Sequence, residues 1–147
     1  MNKQRPPRIA SDESGQALVL VAIFLFGLVA VAGLVADGGL VLVQRRDLQN
    51  QADAAAAAGA MQVDEAAYRA SGGTVLVLHP SAAQLAAIAY LMGEDGTDYA
   101  VHADGQHVEV AVARQASTAF LRVLGIEHVE ISARSVAEPR FGVQGGP

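Results

Sequence analysis

"ALVLVAIFLFGLVAVAGLVADGGLVLVQRRDLQNQADAAAAAGA", residues 17–60, decides the architecture of this 147-residue chain. Residues 17–36 hold no charged or strongly polar side chain, and as a helix that run covers roughly 30 Å, the hydrocarbon thickness of a bilayer. Its Leu, Ile, Val and Phe side chains favour insertion by on the order of 4–8 kcal/mol, which outweighs Gly27 and Gly33. The core helix of a soluble protein is usually shorter and keeps a polar stripe. A cleaved secretory signal has an apolar region of about 7 to 15 residues, shorter than this one. The run therefore reads as a transmembrane helix, assigned to residues 16–43.

Asp37 closes the uncharged run, while "GGLVLV", residues 38–43, carries the apolar character on for about another turn and a half. Two readings stand for this aspartate. It is an interfacial charge reaching the headgroups, where it costs far less than at the bilayer centre. Alternatively Gly38 and Gly39 let another helix approach closely, and Asp37 pairs with a partner's cation or N-terminal amine.

Beyond Arg45 and Arg46 there is no glycine until Gly59 and no proline until Pro80, so the helix is expected to continue to the region of Met61 or Ala70. Ala52, Ala56 and Ala60 recur at spacing four, as do Ala55 and Gly59, on a face that another backbone can approach closely. Such a face buries little area per residue, so it is useful chiefly where helices must lie close together. A stiff exposed spacer is the plainer use of so much alanine.

Composition narrows the remaining choices. The chain has no cysteine, which removes disulfides and thiolate zinc sites. Formal net charge is -5, with a single lysine, Lys3, in the N-terminal tail; nucleic-acid binding needs clustered cations and is disfavoured. Lys3, Arg5 and Arg8 precede the apolar run, and Arg45 and Arg46 follow it. By the charge bias of membrane proteins the short tail is expected on the cytoplasmic side of the cytoplasmic membrane, with the acidic remainder outside.

The C-terminal part reads as a small α+β domain. "TVLVLH", residues 74–79, suits a buried strand. Pro80 opens a helix through "AAQLAAIAYLM", with Leu85, Ile88 and Leu91 or Met92 on one face. "GEDGTD" breaks it. "YAVHADGQHVEVAVA" reads as a hairpin about a two-residue Asp104-Gly105 type I′ turn, which pairs Val101 with Val108, Tyr99 with Val110 and His102 with His107. "STAFLRVLG", capped by Ser117 and ending at Gly125, is expected as a short helix, and "HVEISARSVA" as the last strand. The order β-α-β-β-α-β implies a ferredoxin-like sheet with helices on one face. His102, His107 and Glu109 near the turn have the chemistry of metal ligands, yet polar residues on a solvent face need no further cause; neither a metal nor a cofactor is expected. No nucleophile elbow, phosphate-binding glycine loop or HExxH is present, so no catalytic residues are assigned.

"SGQALVLVAIFLFGLVAVAGLVADGGLVLVQRRDLQNQADAAAAAGA", residues 14–60, resembles the N-terminal region of TadE/TadG-like proteins of the tight-adherence (Flp, type IVb) pilus system. The shared order is a Gly-Gln-Ala opening, one apolar span, an Asp-x-Gly at its end, paired arginines and the "LQNQADAAAAAGA" segment. The pattern from "HVEVAVARQ" to "SVAEP" is also similar to short members of that family. The resemblance implies a non-enzymatic minor pilin, pseudopilin or assembly factor, anchored in the cytoplasmic membrane with its globular part outside. Members cleaved by prepilin peptidase carry a glycine before the apolar run and a glutamate at the fifth position after it. Gly15 and Gln16 suit such cleavage, but Leu20 stands at the glutamate position, which implies an uncleaved, membrane-resident protein. Longer relatives carry a von Willebrand type A domain with a D-x-S-x-S motif, which this sequence lacks.

The expected organisation is a cytoplasmic tail over 1–15, a transmembrane helix over 16–43, an extracytoplasmic alanine-rich helix over 44–71, an α+β domain over 72–138 and a tail over 139–147. Asp37, Gly38, Gly39, Gln51, Ala52, Asp53 and Ala56 are the expected helix-packing and assembly determinants. The partners expected are other pilin-like subunits or inner-membrane proteins of the pilus secretion platform. The alternative is a cell-envelope anchored ligand-binding module with the helix as a tether.

Overall fold

The computed structural model describes residues 13–93 and 96–140. The expected tails up to residue 12 and from residue 141, and residues 94–95 of the "GEDGTD" break, lie outside the described residues. One helix, α1 (Glu13–Ala60), runs through the whole apolar stretch and on through the alanines. At 1.5 Å per residue its 48 residues span about 72 Å. It is the one described helix long and apolar enough to cross a membrane.

The expected helix over 44–71 is divided. α1 ends at Ala60, and a separate α2 (Glu65–Ala70) follows, capped by Asp64, whose carboxylate accepts from the Ala66 and Ala67 amides at 3.0 Å. An aspartate at that position competes for the helix backbone and so starts a new helix where propensity alone would continue the old one. Gly72 and Gly73, both with positive φ, then reverse the chain.

The expected strand at 74–79 is not formed. Its backbone is held by two turns instead of by a sheet. Asp64 donates to the Val77 carbonyl (2.8 Å), His79 donates to Gln62 (2.8 Å), and Leu78 donates to Gly105 (2.9 Å). Only Val63 and Leu78 make a bridge. Leu78 is buried and Val75 is about half exposed, so the segment pins the end of α1 to the hairpin loop.

α3 (Pro80–Leu91) starts with proline in its first turn, and His79 Nδ1 accepts from the Ala82 amide at 3.4 Å. Its buried residues are Ala83, Ala87 and Leu91, while Leu85 and Met92 are exposed. The expected face is thus only partly inward: Leu91 is buried and Ile88 half-buried, whereas Leu85 and Met92 point outward. The reason lies in its partner, α1, which offers Ala52, Ala55, Ala56 and Gly59; two small-residue faces allow a closer backbone approach than the branched face of α3 would.

Three antiparallel strands, β1 (Thr97–Ala103), β2 (Val108–Ser117) and β3 (His128–Ala137), form a sheet in the order β1-β2-β3. The overall class is α+β, but the ferredoxin-like alternation is not formed among the described residues: no strand precedes α3, and a 3-10 turn at Leu121–Leu124 stands between β2 and β3 where a helix was expected. The hairpin register also differs from the expected one. Val101 faces Val110, His102 faces Glu109 and Ala103 faces Val108. Asp104 Oδ1 accepts from the Gln106 and His107 amides at 2.7 and 2.8 Å, and Asp104 N donates to the His107 carbonyl. This side-chain turn lengthens the loop to four residues, and Gly105 lacks the positive φ that a type I′ turn requires. The shift is by two, so Val101, Val108 and Val110 keep their expected face, whereas Tyr99 is exposed and His107 falls in the loop.

Val108, Val110, Val112 and Ala116 of β2, with Ile131 and Ala133 of β3, form the buried face of the sheet. α1 lies across β2 and β3 while α3 flanks α1 on the β1 side, giving two layers around one core. Polar bonds tie the layers as well: Arg114 donates to the Gln44 carbonyl (3.2 Å), and Gln49 Nε2 donates to the Arg134 carbonyl (3.0 Å).

Candidate functional site

α1 has two regions with opposite environments. From residue 17 to residue 32 each side chain is exposed, including Phe24, Phe26, Leu18 and Leu25. The domain leaves this half of the rod untouched. From residue 33 onward a buried stripe runs through Gly33, Asp37, Leu48, Ala52, Ala55, Ala56 and Gly59, with Val41 and Gln44 half-buried between. The spacing of three and four keeps these residues on one side of the helix. The second half of the rod is therefore the spine of the domain.

Both ends of the stripe are glycines because there is no room for a side chain. A Cβ on Gly59 would lie 2.8 Å from the Ala83 carbonyl oxygen and 3.0 Å from a Val108 methyl. A Cβ on Gly33 would lie 2.7 Å from the Phe120 ring. Gly38 and Gly39 are different: open space surrounds both.

Asp37 is 1% exposed. Its two oxygens accept from the amides of Ala119 (2.8 Å), Phe120 (2.9 Å) and Leu121 (2.6 Å). These belong to the connection between β2 and β3, where a helix was expected from Ser117 to Gly125. Ser117 instead ends β2, and only a 3-10 turn, Leu121–Leu124, forms before Gly125 takes φ 85°. The cap is supplied from α1, more than eighty residues earlier, and a carboxylate that accepts several backbone N–H groups is solvated by them as it would be by water. Thr118, also buried, closes the base of the loop by donating from its hydroxyl to the Ile126 and Glu127 carbonyls. Asp37 thus has its partner within the chain, and neither reading made from the sequence foresaw it. The one available signal was a lone acid within the long apolar stretch over residues 17–43.

The other expected determinants fall in separate places. Ala52 and Ala56 are fully buried against α3 and the sheet, so their close-approach face is already occupied by this chain. Gln51 is half-buried, and the exposed Asp53 accepts from Gln49 at 3.0 Å. Gly15 and Gln16 sit exposed in the first turns of α1. Gly59 does lie on the close-approach face expected for it, against Ala83 of α3 and Val108 of β2; sequence reasoning missed the packing of Gly33 on Phe120 and the grip of Asp37 on the loop at 118–127.

Near the hairpin, Glu109 pairs with Arg134 across the strands, and His107 Nδ1 lies 3.3 Å from Asp104. Hydrogen bonds from the Gln106 amide first, then from His107, hold the Asp104 carboxyl below its ordinary range, and the nearby imidazoles act in the same direction. Among the described residues no group of three His, Asp or Glu side chains is placed to hold a metal ion.

A family model, described as "Putative Flp pilus-assembly TadE/G-like", matches residues 15–62, about a third of the chain. The match covers the free half of α1, the stripe and the turn that follows. It supports a TadE-like protein of Flp pilus assembly, a family that is non-enzymatic in general. No curated protein and no solved structure matches the chain.

Proposed function

We propose that this chain, TadE/G-like over residues 15–62, is a membrane-anchored minor pilin-like or assembly protein of a tight-adherence pilus system. It acts through contacts with other pilin-like subunits or with inner-membrane proteins of the secretion platform. The free half of α1 lies in the cytoplasmic membrane with the N-terminus on the cytoplasmic side, and the domain is held outside.

The observation that carries this reading is the division of α1. A tether needs only apolar length, whereas here an uncovered apolar rod is coupled rigidly, without a linker, to a folded domain built on its continuation. Such a coupling transmits the position of neighbouring helices in the membrane to the domain above them. Gly38 and Gly39, uncovered just beyond the apolar run, are the places where a neighbour's backbone comes closest. Leu85 and Met92, facing outward on α3, supply a second apolar contact. Leu20 at the position of the family's glutamate favours a product that keeps its N-terminus instead of being cut between Gly15 and Gln16.

Shuffling residues 17–32 into another apolar order, with Gly33 and Asp37 left in place, tests the proposal in pilus-forming cells. Loss of piliation with normal membrane insertion is expected. Unchanged piliation would leave the helix as a tether and favour the envelope-anchored binding module.

A further inference from the structure

The connection between β2 and β3, residues 118–127, carries its apolar side chains outward. Phe120 is 50% exposed, Val123 86%, Leu124 76% and Ile126 46%, with Arg122 exposed among them. A loop in water has no use for four such side chains at its tip. Its position along the rod supplies the reason. Phe120 rests on Gly33 and the loop backbone is gripped by Asp37. Gly33 lies roughly 4–5 Å inside the end of the uncharged run. Around it the other sides of α1 are exposed and apolar at Leu34, Val35, Leu40, Leu42 and Val43. Loop and helix therefore form one continuous apolar collar at the end of the membrane-crossing segment.

We propose that residues 118–127 are a membrane-embedded foot, inserted into the leaflet on the domain's side. Phe120, Val123, Leu124 and Ile126 enter the boundary between headgroups and acyl chains, and Arg122 reaches the lipid phosphates. Asp37 makes this depth accessible. Its carboxylate is enclosed by three backbone N–H groups, so no bare charge meets lipid there, and the same bonds satisfy loop amides that hydrocarbon would leave unpartnered. The foot also fixes the height and rotation of the domain over the bilayer, because helix and loop meet the membrane at separate points. The proposal rests on the reading of residues 17–36 as a membrane span.

The chain contains no tryptophan, so single substitutions provide unique fluorophores. Full-length Val123→Trp, Leu85→Trp and Phe24→Trp proteins would each be reconstituted into vesicles of phosphatidylcholine and phosphatidylglycerol. With Val123→Trp, emission blue-shifted from that of Leu85→Trp and about twofold quenching by brominated phosphatidylcholine are expected, as for insertion some 5–10 Å deep. Iodide should quench Leu85→Trp and spare Val123→Trp. If Val123→Trp behaves like Leu85→Trp while Phe24→Trp is quenched by brominated lipid, the foot is refuted and the membrane span stands. If Phe24→Trp is also water-exposed, both fall together.

Discussion

Substituting Ala56 by leucine separates two uses of an alanine face. On a helix reserved for a partner chain, the larger side chain would spoil assembly and leave the domain folded. In this structure Ala56 is 0% exposed, flanked by Ala52 and Ala55 in the same state, and one turn from Gly59, where even a single added carbon would meet the α3 backbone at 2.8 Å. Three added carbons have nowhere to go. Overpacking of this kind costs typically 1–3 kcal/mol, and for a domain of about a hundred residues 2 kcal/mol lowers Tm by roughly 8–16 °C. Ala57 is the control, because it is exposed on the same helix turn and its substitution by leucine should stay within about 0.5 kcal/mol. Thermal unfolding of the full chain in detergent, followed by near-ultraviolet circular dichroism of the domain's tyrosines, makes the comparison. Equal Tm values for Ala56→Leu and Ala57→Leu would refute the placement of the alanine face in the core. A second leucine at Ala52 is not an independent test, since both sites press on the same neighbours and their effects couple.

Removing the Asp37 carboxylate by Asp37→Ala should raise amide hydrogen exchange at residues 119–121 on the order of a hundredfold, since three charge-assisted bonds are lost at once; exchange in β2 should change little. Asp104 contributes stability above the ordinary aspartate range of about 3.9, and that contribution drains away as pH falls through its lowered native value. A titration of wild type against Asp104→Asn should show a shallower acid decline in the variant, and identical curves would contradict the turn's role. Leu85→Glu with Met92→Glu should leave Tm unchanged within about 0.5 kcal/mol and reduce pilus assembly in cells; a large fall in Tm would mean that the outer face of α3 is structural.

What could be read from the sequence follows from how local each feature is. The apolar run and its continuation are consecutive in the chain, so length and propensity were enough to find α1. Its end at Ala60 depended on the competing cap at Asp64, which propensity does not weigh. Hydrophobicity selected Leu85, Ile88 and Leu91 or Met92 as the inner face of α3, because burial usually follows the larger apolar side chains, and of these Leu91 is buried. The rest of the inner face is Ala83 and Ala87, chosen by the shape of a partner helix thirty residues away. Asp104-Gly105 was legible as a turn, while the aspartate's preference for accepting the next amides set its length. The strand assigned to "TVLVLH" failed because its backbone is satisfied by turns on either side. Asp37 was conspicuous, yet its partners lie more than eighty residues on, and nothing local announces them.

Photo-crosslinking from successive positions across residues 17–32, in cells that build the pilus, tests the account's main claim most directly. Crosslinks to another pilus protein should recur every three to four residues, tracing one face of the free helix. Crosslinks to lipid alone at every position would contradict it.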